Sequence, residues 1–291
     1  MSQSALRSTF LHLRLPFSFF LLPIFLFGLL EGSGFDAGRT WAAFFIIHFL
    51  LYPASHAFNT WYDRDEQAIG LLSAPPPVHA SLAWAAWILD ALALGCAWFV
   101  GGFFFAALVV YTLGSKLYSW KVTRLKKRPV AGWLGVGLVQ GSVTFLAVVQ
   151  GLGEPRAWSD PVLWLGTATA ALFLWGVYPM TQVYQHEEDE RHGDLTISRL
   201  VGIRGTFVLS ALFMGAAVAC FVFLFVSQKG WLAALAFLGF QAATLVYFLW
   251  WAFGVWKDAS RADFRRTMGL NLLASGTMSA YFLMFLLEFR P

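Results

Sequence analysis

The chain has 291 residues, of which 58% are hydrophobic and only 12% charged, about half the charged share of a soluble domain. Thirty Phe, fourteen Trp and twenty-six Gly accompany a mean hydropathy of +0.64. So few charges cannot cover the surface, which excludes a disordered chain, a disulfide-stapled secreted domain and an ordinary cytosolic enzyme. The chain reads as an all-α, polytopic membrane protein.

A helix needs about twenty apolar residues to cross a bilayer. Nine stretches qualify in chain order: 13–31, 41–58, 81–100, 102–119, 131–150, 161–182, 205–227, 231–254 and 268–288. Pro23, Pro53 and Pro179 interrupt three of them, which membrane helices tolerate when neighbours re-satisfy the backbone. The first stretch lacks a small-residue cleavage site and is followed by eight more, so it is expected to stay as a span. Cys96 and Cys220 fall in apolar runs and are expected as reduced core thiols, leaving oxygen or imidazole ligands for any metal.

The net charge of +4 reflects topology rather than nucleic-acid binding, and no nucleic-acid partner is expected. With the N-terminus placed in the cytoplasm, sixteen basic residues fall on the inner side. The outer side keeps four: Arg39, Arg156, Lys229 and Arg290. The positive-inside rule favours this orientation. Eight of the sixteen acidic residues depart from an even scatter. Asp63, Asp65 and Glu66 follow the second span, while Glu187, Glu188, Asp189, Glu190 and Asp194 follow the sixth.

Helical spacing gives those clusters faces. His48, His56, Asn59, Asp63 and Gln67 recur at steps of eight, three, four and four, with Glu66 beside the stripe. Tyr178, Gln182, Gln185 and Asp189 recur at four, three and four, and Gly193 follows. The third inner segment, Tyr118-Ser-Trp-Lys-Val-Thr-Arg-Leu-Lys-Lys-Arg-Pro129, is basic and fits anionic membrane lipid when taken alone. Beside two acidic clusters it describes more. Oxygen-rich helix ends bind Mg²⁺, which shares its coordination with phosphates, and Lys and Arg take the remaining phosphate oxygens. Together these residues describe a diphosphate site at a membrane surface.

The motifs resemble those of the UbiA-type intramembrane prenyltransferases. Asn59-Thr-Trp-Tyr-Asp63-Arg-Asp65-Glu-Gln67 is similar to the first Asp-rich motif of that family, N-D-x-x-D-x-x-x-D. Gln185-His-Glu-Glu-Asp189-Glu-Arg-His-Gly193-Asp-Leu-Thr196 is similar to the second, D-x-x-x-D-x-x-x-G-x-x-[ST]. Tyr118 to Lys126 looks like its basic loop, and Arg14-Leu-Pro16 like the opening of its first helix. The order of the motifs covers the whole chain, 1–291, as one polytopic domain.

This resemblance implies nine membrane helices around a central cavity open to the cytoplasm, in an enzyme of the cell membrane. It implies Mg²⁺-dependent transfer of a prenyl group from a polyprenyl diphosphate to an aromatic or other small lipophilic acceptor. The metal set would then be Asn59, Asp63, Glu66, Gln67, Gln185, Glu188 and Asp189. The substrate set would be Arg14, Asn59, Tyr118, Lys121, Arg124, Lys126, Gln182 and Gln185. Asp63 and Asp189 would be catalytic, with Asp90, a carboxylate inside the third span, as an acceptor-activating base or an interfacial group with a polar partner. Asn271, Ser275 and Thr277 are expected to be helix-packing groups. His186 and His192, six apart, do not share a helix face and are not expected to bind zinc.

The chain departs from the family pattern at three positions. Thr60 stands at the second position of the first motif, and Gln67 and Gln185 replace acidic residues, leaving one aligned carboxylate per motif. A terpene cyclase of the same family, a non-catalytic lipid- or diphosphate-binding member and a transporter therefore stay open as alternatives.

Overall fold

In the computed structural model, residues 3–64 and 66–288 are described; Asp65 and Arg290 lie outside them. Among the described residues the regular structure is helical, and nine helical stretches are long and apolar enough to cross a membrane. They are α1 (Gln3–Glu31), α2 (Ala37–Asp63), α3 (Ser81–Val100), α4 (Gly102–Ser119), α5 (Pro129–Gly151) and α6 (Pro161–Gln182), then α8 (Ile197–Lys229), α9 (Trp231–Lys257) and α10 (Phe264–Leu287). Between α6 and α8 lies the short acidic helix α7 (His186–Arg191). Each span contains the stretch read from sequence, apart from the last residue of the ninth. Most extend it at one or both ends, because polar residues continue the helical turns beyond the hydrocarbon.

Two breaks shape the first two spans. Pro16 cannot donate to the helix before it, so α1 interrupts at Arg14 (φ 48°) and tightens into a 3₁₀ stretch over Leu15–Leu21. A π-turn over Ile46–Leu51 precedes Pro53 in α2. It shifts the phase of everything before it, so His48 turns to Phe25, Phe44 and Tyr52 while His56, Asn59 and Asp63 face the interior cavity. The expected five-residue stripe is therefore three residues long. Gln67 is lost from it because α2 ends at Asp63, where Arg64 turns left-handed.

Neighbouring spans pack side by side, and α10 returns against α1 to close the bundle. Small residues allow the closest approach: a Cβ on Gly28 would stand 2.7 Å from Val148, and one on Gly141 2.5 Å from the Ala170 carbonyl. One end is filled by rings, with Phe27 centred 4.8 Å from both Phe145 and Phe221. At that end Arg156 donates to the Glu31 carbonyl and Gln228 to its carboxylate, tying α1, the α5–α6 connection and α8 together. The opposite end is hollow.

Candidate active site

Arg14, Asn59, Asp63, Tyr118, Lys126, Gln182, Gln185 and Asp189 line one cavity of about 350 Å³ at the hollow end. They come from α1, α2, α4, the α4–α5 connection, α6, the α6–α7 connection and α7, so segments remote in sequence converge there. Its deeper wall is apolar and aromatic, formed by Phe17, Phe20, Val136, Val139, Phe173, Leu174, Val177 and the rings of Tyr118 and Tyr178. The two tyrosine hydroxyls hydrogen-bond each other.

Asp63 is the last residue of α2, where the helix dipole disfavours negative charge. Cations of the basic loop offset this: Lys126 Nζ stands 2.8 Å from Asp63 Oδ2, and Arg124 3.2 Å from Oδ1. Asn59, one turn earlier, donates to Asp63 Oδ2 at 2.7 Å and to Ser119 Oγ at 3.1 Å. The same two cations reach the second acidic segment. Arg124 grips Asp194 through two bonds of 2.9 and 2.8 Å, and Lys126 stands 2.9 Å from it.

A turn at the end of α7 makes this grip possible. Gly193 adopts φ +66°, which glycine reaches without steric cost, and the chain doubles back so that the Asp194 amide donates to the Asp189 carbonyl. Asp189 accepts from the Thr196 hydroxyl at 3.2 Å. The two carboxylates then behave oppositely. Burial pushes Asp189 up to about 6 despite the pull of Lys126 and Thr196. Burial also acts upward on Asp194, but the Arg124 and Lys126 contacts outweigh it and hold that carboxyl below its ordinary value.

Other expected site residues lie elsewhere. Glu188 is buried, but its carboxylate accepts the backbone amides of Glu66 (2.6 Å) and Gln67 (3.2 Å), so it clasps the two acidic segments together rather than lining the cavity. The Glu66 and Lys121 side chains are exposed, and neither residue lines the cavity, nor does Gln67. Asp90 does find a polar partner: it is buried against Lys116 of α4, whose ammonium sits 4.1 Å from the Phe58 ring centre, away from the cavity lining. Of the three groups expected on α10, Ser275 and Thr277 bond to helix carbonyls and hydroxyls, whereas Asn271 lines the cavity. In the sequence Asp194 stands out only as one of a charge cluster; its position directly after Gly193 is the signal that distinguishes it.

The apparent repeat between the motifs is one of spacing alone. Asn59 and Asp63 occupy the last turn of a span, whereas Gln185 caps and Asp189 enters a separate short helix.

The fold has known relatives. It is similar to a UbiA homolog from Archaeoglobus fulgidus solved with GPP and Mg²⁺, at 18% identity and a TM-score of 0.70, over 95% of this chain and 98% of that one. An apo UbiA homolog from Aeropyrum pernix K1 matches at 22% identity and a TM-score of 0.70, over 92% and 98%. A digeranylgeranylglyceryl phosphate synthase structure matches at 17% identity and a TM-score of 0.61, over 96% and 98%. Among curated proteins nothing matches significantly by sequence. The family model described as the UbiA prenyltransferase family matches residues 20–274. With that span covered, the chain belongs to the UbiA prenyltransferase family and is a multi-pass membrane protein.

Proposed function

We propose that this protein is a cell-membrane prenyltransferase that binds a polyprenyl diphosphate at the polar mouth of the cavity, ionises it, and transfers the prenyl group to an aromatic or other lipophilic acceptor. One observation carries the reading: Asp63, Asp189, Asn59 and Gln185 line an apolar, ring-bearing cavity together with Lys126, and Lys126 and Arg124, the latter behind the lining, both pair with Asp63. The solved A. fulgidus homolog, bound to GPP and Mg²⁺, supports the choice of donor and cofactor.

The donor set suits Mg²⁺ in chemistry, being hard oxygen throughout. Asp63 Oδ1 is buried, accepts no hydrogen bond and meets Arg124 only as an ion pair, so it retains capacity for a cation. Asp63 and Asp189 would hold the metal, with the Asn59 and Gln185 amide oxygens completing the set. When bound, Mg²⁺ neutralises the diphosphate as it leaves.

The rest is the work of the chain's own groups. Lys126 and Arg124, already crowded by carboxylates, exchange part of that pairing for diphosphate oxygens. Arg14 closes the third side of the mouth. The prenyl tail lies along the apolar side chains of Val136, Val139, Leu174 and Val177. The faces of Tyr118 and Tyr178 stand where an allylic cation needs π density. The orientation that places this mouth in the cytoplasm follows from the sixteen-to-four basic asymmetry.

The test is Mg²⁺-dependent pyrophosphate release from geranyl diphosphate by purified, reconstituted protein. Asp63→Asn and Asp189→Asn are each expected to lower the rate by about 100-fold, the scale on which charge-stabilising groups act. Unchanged release in both variants overturns the reading. Product analysis of the same reactions with and without a phenolic acceptor separates transfer from cyclisation.

A further inference from the structure

Two polar side chains that line the cavity end in buried atoms with no hydrogen bond of ordinary geometry and no ion pair. Asn271 on α10 is 2% exposed, and neither its amide oxygen nor its amide nitrogen has a partner. His56 on α2 is 7% exposed; its Nδ1 makes no hydrogen bond of ordinary geometry, although the Leu13 carbonyl lies within reach of the ring. Both flank the 3₁₀ stretch of α1. His56 meets Phe17 edge to face with ring centres 5.2 Å apart, and Ser275, one turn after Asn271, donates to the Phe20 carbonyl at 3.2 Å. Phe17 and Phe20 themselves meet at 5.0 Å.

Some polar groups of the spans find partners within their own helix: Thr277 on α10 bonds to the Leu273 carbonyl and Thr206 on α8 to that of Gly202. Asn271 has the same opportunities and takes none. Unpaired buried atoms also occur on Thr60 of α2 and Ser279 of α10, but neither residue lines the cavity. An unpaired buried amide is costly, and it persists where a ligand supplies the missing partners.

We infer that Asn271 and His56 form the recognition point for a hydroxyl or ring-carbonyl oxygen on the second substrate, whose flat lipophilic body lies against Phe17 and Phe20. This rests on the prenyl-transfer reading and extends it to acceptor selection. An amide offers a donor and an acceptor on one plane, which a hydroxyl satisfies from both sides and a hydrocarbon from neither. A site built around unpaired hydrogen-bonding groups rejects the analogue lacking the oxygen far more strongly than a greasy pocket rejects an extra one.

The experiment uses the full chain in lipid nanodiscs, with 1-naphthol and naphthalene as probes and geranyl diphosphate with Mg²⁺ as a separate ligand, followed by calorimetry. Wild type is expected to bind 1-naphthol at least about ten-fold more tightly than naphthalene. Asn271→Leu reduces that preference to about two-fold or less, while geranyl diphosphate binding stays within about two-fold of wild type. His56→Phe keeps a ring against Phe17, lacks Nδ1 and loses part of the preference, which preserves the test should Asn271→Leu fail to fold. No preference in wild type, or a full preference in both variants, overturns the inference. Loss of geranyl diphosphate binding in wild type, with the 1-naphthol preference intact, overturns the prenyl-transfer reading instead.

Discussion

Asp194 is fully buried and holds Arg124 and Lys126 in place from below the cavity. Removing one partner from a buried ionic cluster strands the others, at a cost of about 3–5 kcal/mol. Asp194→Asn is therefore expected to lower the melting temperature in detergent by several degrees and to weaken geranyl diphosphate binding, both read on the same preparation. Its depressed carboxyl contributes stability above the ordinary carboxylate range, and that contribution is lost as pH falls through the depressed value. Asp189 works in the other direction. Between the unfolded carboxylate value near 4 and about 6, the unfolded chain has released its proton while the folded one keeps it, so stability declines as pH rises through that window. Melting curves of metal-free protein at pH 4, 5, 6 and 7 are expected to show this decline in wild type and not in Asp189→Asn. Parallel curves would refute the assignment. These opposite behaviours were not legible in sequence, where both residues are acids in one cluster.

At the scale of elements, α7 is short and highly charged, and it cannot be held in place by burial of an apolar face. Its tether is Glu188, which accepts two backbone amides from the segment after α2. A hydrogen bond to a charged acceptor contributes about 1.5–3 kcal/mol. Glu188→Gln should leave the spans intact yet raise hydrogen exchange at the Glu66 and Gln67 amides by at least about ten-fold, with protection inside α2 and α6 unchanged. Equal protection in the variant would show that something else clasps the two segments. Helical spacing could not find this tether, because it joins residues 122 apart. The π-turn in α2 was hidden for a related reason: a uniform period assumes a uniform helix, and Pro53 breaks that assumption. The stripe on α6 continued into α7 with all four residues on the cavity, since the break between them conserves the phase.

On the scale of the whole molecule, no hydrophobic force drives spans together in lipid, so close packing has to hold the cavity walls. At Gly141, α5 packs against the backbone of α6, and the atom opposing its Cβ direction is the Ala170 carbonyl, which cannot turn aside. Gly141→Val is expected to cost about 1–3 kcal/mol and to lower the melting temperature. Gly215→Ala, with open space at its Cβ, serves as the neutral control. A melting temperature unchanged by Gly141→Val would mean that these spans are not in contact there.

The sequence by itself determined the solvent, the number of spans and the three segments that carry charge, because bilayer thickness and the expense of charge in lipid act on composition directly. Helical spacing gave Asp63 and Asp189 their faces, and the basic segment and the family resemblance added Lys126 and Arg14; all four line one cavity. The tertiary structure decided which of the other polar groups serve that site. Glu188 turned to backbone amides, Asp90 to Lys116, and Asn271 to the cavity. Each outcome depends on the rotation of one helix against another. That rotation is set by contacts between residues far apart in the chain, and no local period records it.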